Sequence, residues 1–158
     1  MAAKLLDTLL QAEVEFVVVG GLAAVLHGST LLTRDLDICV PIGARSFLKL
    51  QSALRPLNPR VRAGSGVIPL ELDTESAARL TNLYLRTDDG RLDCLGSVAG
   101  LGDYEKVLAA SEKLTVHGYP LFVLGLDGLI VAKEAMGRPR DLETVTQLKA
   151  IRERLNRH

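Results

Sequence analysis

The chain has 158 residues, in which 19 lysines and arginines face 19 aspartates and glutamates and 47% of positions are apolar. Balanced charge and an ordinary apolar fraction describe a globular protein and exclude one that holds nucleic acid or membrane by net charge alone. One domain over 1–158 is expected, long enough to bury a core and too short for two, with a sheet core over 1–125 and carboxyl-terminal helices over 126–158.

Leu5, Leu6, Leu9 and Leu10 recur at helical spacing, which predicts an amphipathic helix over 2–12. Asp7 interrupts what a secretory leader would keep apolar. The longest apolar run, Phe16 to Leu26, is broken by Gly20-Gly21 and is much shorter than a bilayer span. A cytoplasmic protein is therefore expected. The β-branched stretch from Val14 to Val19 reads as a strand, Gly20-Gly21 as a sharp turn, and Leu22 to Leu26 as a short helix ending near Gly28.

Asp35 to Val40 predicts a second strand, stopped by Pro41, and 43–54 a helix. Two consecutive strand–helix units with short links predict a parallel pair. Arg55 to Leu72, with its prolines and Gly64-Ser65-Gly66, reads as a loop or an edge strand. Asp-Gly between Leu83–Arg86 and Arg91–Leu95 signals a hairpin, so the sheet is expected to be mixed. A helix over 103–110, paired strands at 113–117 and 119–124, and helices near 127–136 and 140–155 complete the chain, with Gly137 as a stop and Pro139 as a start. Cys39 and Cys94 form no metal-ligand pattern and read as small buried hydrophobes.

The chemistry-bearing feature is Asp35-Leu36-Asp37. Residues two apart on a strand point to one face, so the carboxylates lie side by side while Leu36 and Ile38 face the core. Two such charges about 5 Å apart repel by roughly 3 kcal/mol at an effective dielectric near 20, which something must offset. Solvent or Arg34 is one offset; a divalent cation, preferring carboxylate oxygen, is the other. Asp93, mid-strand between Leu92 and Cys94, is the best further acid, with an ion pair to Arg91 or another base as its structural alternative. Asp88 and Asp89 belong to the turn, Asp73 reads as a helix cap, and His27 as a helix-end polar group.

A strand ending in Gly-Gly, a short helix, a D-x-D strand and a later carboxylate together resemble the polymerase-beta-like nucleotidyltransferase superfamily. Thirteen residues separate Gly20-Gly21 from Asp35, within the spacing of that pattern. More closely, "FVVVGGLAAVLHGSTLLTRDLDICV", "RLDCLG" and "LDGLIVAKEAMGRPRDLETVTQL" are similar to the small bacterial group around AbiEii-type abortive-infection toxins. The resemblance implies an α+β nucleotidyltransferase fold, with a mixed sheet flanked by helices. It implies Asp35, Asp37 and Asp93 as the catalytic, metal-holding acids, with two Mg²⁺ ions as cofactor. Gly20 and Gly21 would admit a nucleoside triphosphate (NTP), Ser29 and Thr33 would contact phosphate, and Lys133, Arg138 and Asp141 match the group's K-x4-R-x2-D signature. Leu31 stands where many relatives carry arginine.

The implied reaction moves an NMP from an NTP to an acceptor hydroxyl, at an RNA end or a protein side chain, in a protein that serves as a toxin–antitoxin component. The alternative is a non-catalytic binding module or antitoxin that keeps the fold and uses its surface. Partners are the NTP and either tRNA or another RNA, or a partner protein, without a membrane. The basic end, Arg152 to His158, reads either as a solvated helix end or as a surface along RNA phosphates. Absence of G-x-x-x-x-G-K-[ST] and of G-x-S-x-G argues against other nucleotide sites and against a serine hydrolase.

Overall fold

Leu5, Leu9 and Leu10 seal one side of helix α1 (Ala3–Gln11) against the sheet in the computed structural model, which describes residues 3–30 and 35–157. Asp89 accepts the Leu5 N–H at 2.7 Å, placing an anion at the positive end of that helix. Strand β1 (Val17–Val19) runs directly into α2 (Gly20–Leu26), which Gly20 permits by adopting φ 67°.

After β2 (Leu36–Cys39) come α3 (Ala44–Leu54), a 3₁₀ turn at Arg55–Leu57, and the hairpin β3 (Arg60–Ala63) and β4 (Gly66–Pro69). The proline-rich segment is thus an edge hairpin, with every residue of β4 exposed. Asp73 caps α4 (Thr74–Ala78), exchanging hydrogen bonds with Ser76 at 2.8 and 2.9 Å. Strands β5 (Asn82–Thr87) and β6 (Gly90–Leu95) pair across the Asp88-Asp89 turn. A small ribbon, β7 (Ser97–Val98) with β8 (Gly102–Asp103), leads to α5 (Tyr104–Ala109), β9 (Ser111–Val116) and β10 (Tyr119–Leu124). Helix α6 (Leu126–Met136) stops at Gly137, in the left-handed region, and α7 (Pro139–Asn156) starts at its proline.

The eight main strands form one mixed sheet in the order β4-β3-β5-β6-β2-β1-β10-β9. The expected parallel pairing of β1 with β2 is not what forms: they are adjacent and antiparallel, with Val19 opposite Asp37. Helix α2 spans only about 10 Å at 1.5 Å per residue, and β2 starts beside the end of β1, where the chain left the sheet. A parallel return would have carried the chain to the opposite edge. The parallel pairs are instead β2 with β6 and β1 with β10.

Alternation decides what each strand shows. Leu36, Ile38, Leu85, Leu92 and Cys94 are fully buried on one face. Asp37, Tyr84 and Asp93 stand on the other, beside α2, α6 and α7. Both cysteines are free and buried, and desolvation pushes the Cys39 thiol up to about 11, which keeps it protonated. Among the described residues no helix is long and apolar enough to cross a membrane.

Candidate active site

Antiparallel return is what builds the site. Because β2 starts where β1 ends, Asp37 lies against Gly20: a Cβ placed on Gly20 would collide with Asp37 Oδ2, so only glycine leaves the carboxylate its room. On the other side of β2 the parallel register sets Asp37 directly opposite Asp93. Two acids far apart in sequence therefore sit side by side on one face.

Neither is comfortable there. Burial, reinforced by the charges of Asp93 and Asp35, pushes the Asp37 carboxyl up from 3.8 to about 6, with Lys133 pulling the other way. Asp93 has an ion pair with Arg62 at 2.7 Å, which realises the structural alternative with a different base from Arg91. The contact is to Asp93 Oδ1, which is buried and meets no other donor, and the same Arg62 nitrogen donates to the Leu85 carbonyl at 3.0 Å. Asp35 lines the same cleft at its rim, with Arg91 at 3.8 Å.

Among the described residues no three acidic, histidine or cysteine side chains already converge as a metal cage. The donor set nonetheless fits a hard divalent cation. Asp37, its carboxyl raised by burial and by Asp93, stands in register with Asp93, whose Oδ1 has only Arg62 against it, and a divalent cation would offset the like charge the pair holds. Mg²⁺ suits all-oxygen donors that leave room for water and phosphate.

The opposite wall comes from the carboxyl-terminal helices. Asp141, 1% exposed, accepts from two guanidinium nitrogens of Arg138, Nε at 2.5 Å and Nη2 at 3.1 Å, from the Arg138 backbone N–H at 3.2 Å and from the Lys133 ammonium at 3.5 Å. Hydrogen bonding to Arg138 above all, with Lys133 adding its charge, holds the Asp141 carboxyl below the usual range. The K-x4-R-x2-D signature is therefore an ion-paired clamp joining α6 to α7, and Lys133 and Arg138 line the cleft facing the acids. Ser29 donates to Gln147 of α7 at 2.9 Å, so the turn after α2 is tied to that wall. Thr33, with Leu31 and Arg34, lies outside the described residues. His27 donates from Nε2 to the Leu124 carbonyl at 2.9 Å, a structural bond. Arg152 and Arg157 in the basic end pair with Asp127 at 3.0 Å and Glu153 at 2.8 Å, which favours the solvated-helix reading of that segment.

Between the walls opens a cleft of about 790 Å³, lined by Gly20, Gly21, Ser29, Asp35, Asp37, Asp93, Lys133, Arg138 and Asp141. It is large enough for a nucleotide-sized ligand. Sequence reasoning missed two residues beside Asp93: Arg62, and Tyr84, which lines the cleft and carries the Arg62 guanidinium 5.7 Å over its ring. Period-two alternation in Arg60-Val61-Arg62 and Leu83-Tyr84-Leu85 was the signal available for them.

No protein-family model matches the chain, and no curated protein does. Solved structures do. The lincomycin-bound lincosamide antibiotic adenylyltransferase LnuA aligns over 94% of both chains with a TM-score of 0.62 at 15% identity. The chain has the nucleotidyltransferase fold. The same architecture is found in ANT(2″)-Ia complexed with adenylyl-2″-tobramycin, with a TM-score of 0.56 and 17% identity over 97% of this chain and 93% of that one. A putative nucleotidyltransferase from Thermotoga maritima gives 0.53 and 16% over 98% and 92%. The alignments with these structures extend over 94 to 98% of the chain.

Proposed function

We propose that the protein is a Mg²⁺-dependent nucleotidyltransferase that moves a nucleoside monophosphate from an NTP to an acceptor hydroxyl. The observation that carries this reading is the registered pair Asp37–Asp93, crowded as like charges and facing Lys133 and Arg138 across the cleft. Asp37 and Asp93, with Asp35 at the rim, would hold the ions. When bound there, Mg²⁺ supplies positive charge to phosphoryl oxygens and to the attacking and departing oxygens.

The chain's own residues do the rest. Gly20 and Gly21 let the triphosphate approach the backbone closely, with no side chain between. Lys133 and Arg138, fixed by Asp141, meet the phosphates as preorganised cations and steady the charge that gathers on the leaving group. Asp93 orients the acceptor hydroxyl and takes its proton. The acceptor oxygen then bonds to the α-phosphorus as the bond to the β-phosphate oxygen breaks, and pyrophosphate leaves.

LnuA and ANT(2″)-Ia are named for, or bound to, antibiotic acceptors and adducts, which supports a hydroxyl acceptor in general. The motif resemblance to the AbiEii-type group supports an RNA end or a protein side chain, and a toxin–antitoxin role, in particular. A second reading, a non-catalytic module, draws on one observation: Arg62 already occupies Asp93. Incubation with α-³²P-NTP and with γ-³²P-NTP, Mg²⁺, total RNA and cell lysate separates the two. Transfer of the α label alone, lost in Asp37→Asn, supports the enzyme. No transfer with any of the four NTPs, together with a co-purifying partner, supports the module.

A further inference from the structure

Three arginines stand in a row across the open face of the sheet. Arg60 on β3 is registered opposite Arg86 on β5, and Arg86 opposite Arg91 on β6. Directly opposed residues share a face with Cβ atoms about 5 Å apart, and like charges there repel. Asp88 and Asp35 are the acidic side chains paired to the row, and they neutralise it only in part. Arg60 meets Asp88 at 3.3 Å, on a side chain 57% exposed, and buries its own Nε without a hydrogen-bond partner. Arg91 reaches Asp35 at 3.8 Å. Exposed Arg86 has no ion-pair partner among the described residues.

One pleat along lies the row Tyr84–Asp93–Asp37, cross-strand neighbours in register. Tyr84 is 42% exposed, with Arg62 at one side of its ring. The row runs from Arg91, two residues from Asp93 on β6, across β5 to Arg60 on the edge hairpin, away from the β1 and β10 side of the sheet. A ligand lying over them approaches Asp93 without contesting Lys133 and Arg138.

We infer that this arginine row, with Tyr84, is the binding surface for a single-stranded nucleic acid whose terminal hydroxyl is the acceptor. The inference rests on the nucleotidyltransferase reading and narrows its acceptor. Phosphodiesters supply the repeated negative charge that the opposed guanidinium groups lack, and a base supplies the π-face that an exposed tyrosine beside the catalytic acids can stack on. A cationic acceptor would be repelled. An acidic peptide would satisfy the arginines and leave Tyr84 without a stacking partner. The basic carboxyl end is a weaker candidate, because Arg152 and Arg157 are already paired with acids.

The test is fluorescence anisotropy with the full chain, Mg²⁺ and a labelled single-stranded 3′-deoxy RNA oligonucleotide, titrated at several salt concentrations. Arg86→Ala is expected to weaken binding by about 5- to 10-fold and to reduce the slope of log affinity against log salt by about 0.7, the release of one phosphate contact from a single strand. Tyr84→Ala is expected to weaken binding by about 5-fold or more with the slope unchanged, since stacking carries no counterions. Arg152→Ala should bind as the wild type. Wild-type affinity in both Arg86→Ala and Arg60→Ala/Arg86→Ala overturns the inference, as does equal competition by polyglutamate. Transfer of α label to a protein or small molecule, with no oligonucleotide binding, removes the nucleic-acid surface and leaves the enzyme standing. Arg86-dependent binding without transfer to a 3′-hydroxyl oligonucleotide does the reverse.

Discussion

The two walls of the cleft hold the same kinds of charge in opposite states. On the helical wall Asp141 is buried, but two cations meet it and every oxygen has a donor. On the sheet wall Asp37 and Asp93 sit in register as like charges, with the single guanidinium of Arg62, on Asp93 Oδ1, set against the two. The first arrangement is self-sufficient and explains itself as structure. The second is stable only because the surrounding sheet imposes it, and groups held that way are the ones a ligand can reward. Under the proposed function, the difference would separate the residues that do chemistry from those that aim other residues.

Removing an acid from the sheet wall should produce the largest effect. Asp37→Asn and Asp93→Asn are each expected to lower the initial rate of α-label transfer by about 100- to 1,000-fold, the scale of losing a group aimed at developing charge. Asp37→Asn should melt no lower than the wild type in the absence of divalent cation, since a repulsion is relieved, whereas Asp93→Asn also takes the anion from Arg62 and should melt lower. The helical wall should respond in the other sense. Asp141→Ala leaves Lys133 and Arg138 without their shared anion and is expected to cost about 3 kcal/mol of stability, read from urea denaturation. Equal destabilisation by Asp37→Asn and Asp141→Ala would erase the distinction between the walls.

Acid titration sharpens it further. With its carboxyl raised from 3.8 to about 6, Asp37 binds more protons folded than unfolded between those values. Its contribution to stability is thus fully present below pH 3.8 and is lost as pH rises through 6, by roughly 3 kcal/mol at neutral pH. Asp141, held low, has the opposite sign: its contribution is present above the ordinary carboxylate value and is lost as pH falls through its lowered one. Without divalent cation, Asp37→Asn should flatten the loss between pH 4 and pH 7 in urea unfolding. Mg²⁺ should raise the wild-type melting temperature at pH 7 and leave that of Asp37→Asn unmoved.

Much of this was legible in the sequence, for reasons that differ by residue. Helix ends at Gly137 and Pro139, the Asp-Gly hairpin and the Asp73 cap are written in local chemistry, so short-range reading found them. Asp37 and Asp93 were each assigned to the polar face of a strand by alternation alone. Their adjacency was not in either segment; it comes from the β2–β6 register. The direction of β2 was misread because a strand–helix–strand run states lengths but not the path home, and that path puts Asp37 beside Gly20. Arg62 and Tyr84 escaped notice because β3 lies among prolines and its pairing with β5 is a long-range event.

Gly20 links the walls to the turn between them, and its replacement tests the antiparallel return itself. Alanine at φ 67° is strained by roughly 1–2 kcal/mol, and its methyl group would press on Asp37 Oδ2. Gly20→Ala should therefore lower the melting temperature modestly and cut transfer more deeply than its stability loss explains, because the displaced carboxylate is the one facing Asp93. Arg152→Ala supplies the smallest effect and the scale for the rest. Its pair with Asp127 lies on an exposed side chain, so its loss should change stability by less than about 1 kcal/mol and leave transfer intact. If Gly20→Ala behaved like Arg152→Ala in both assays, the close approach of β1 to Asp37 would have no part in the chemistry, and the sheet wall would have to work through Asp93 and Asp35 alone.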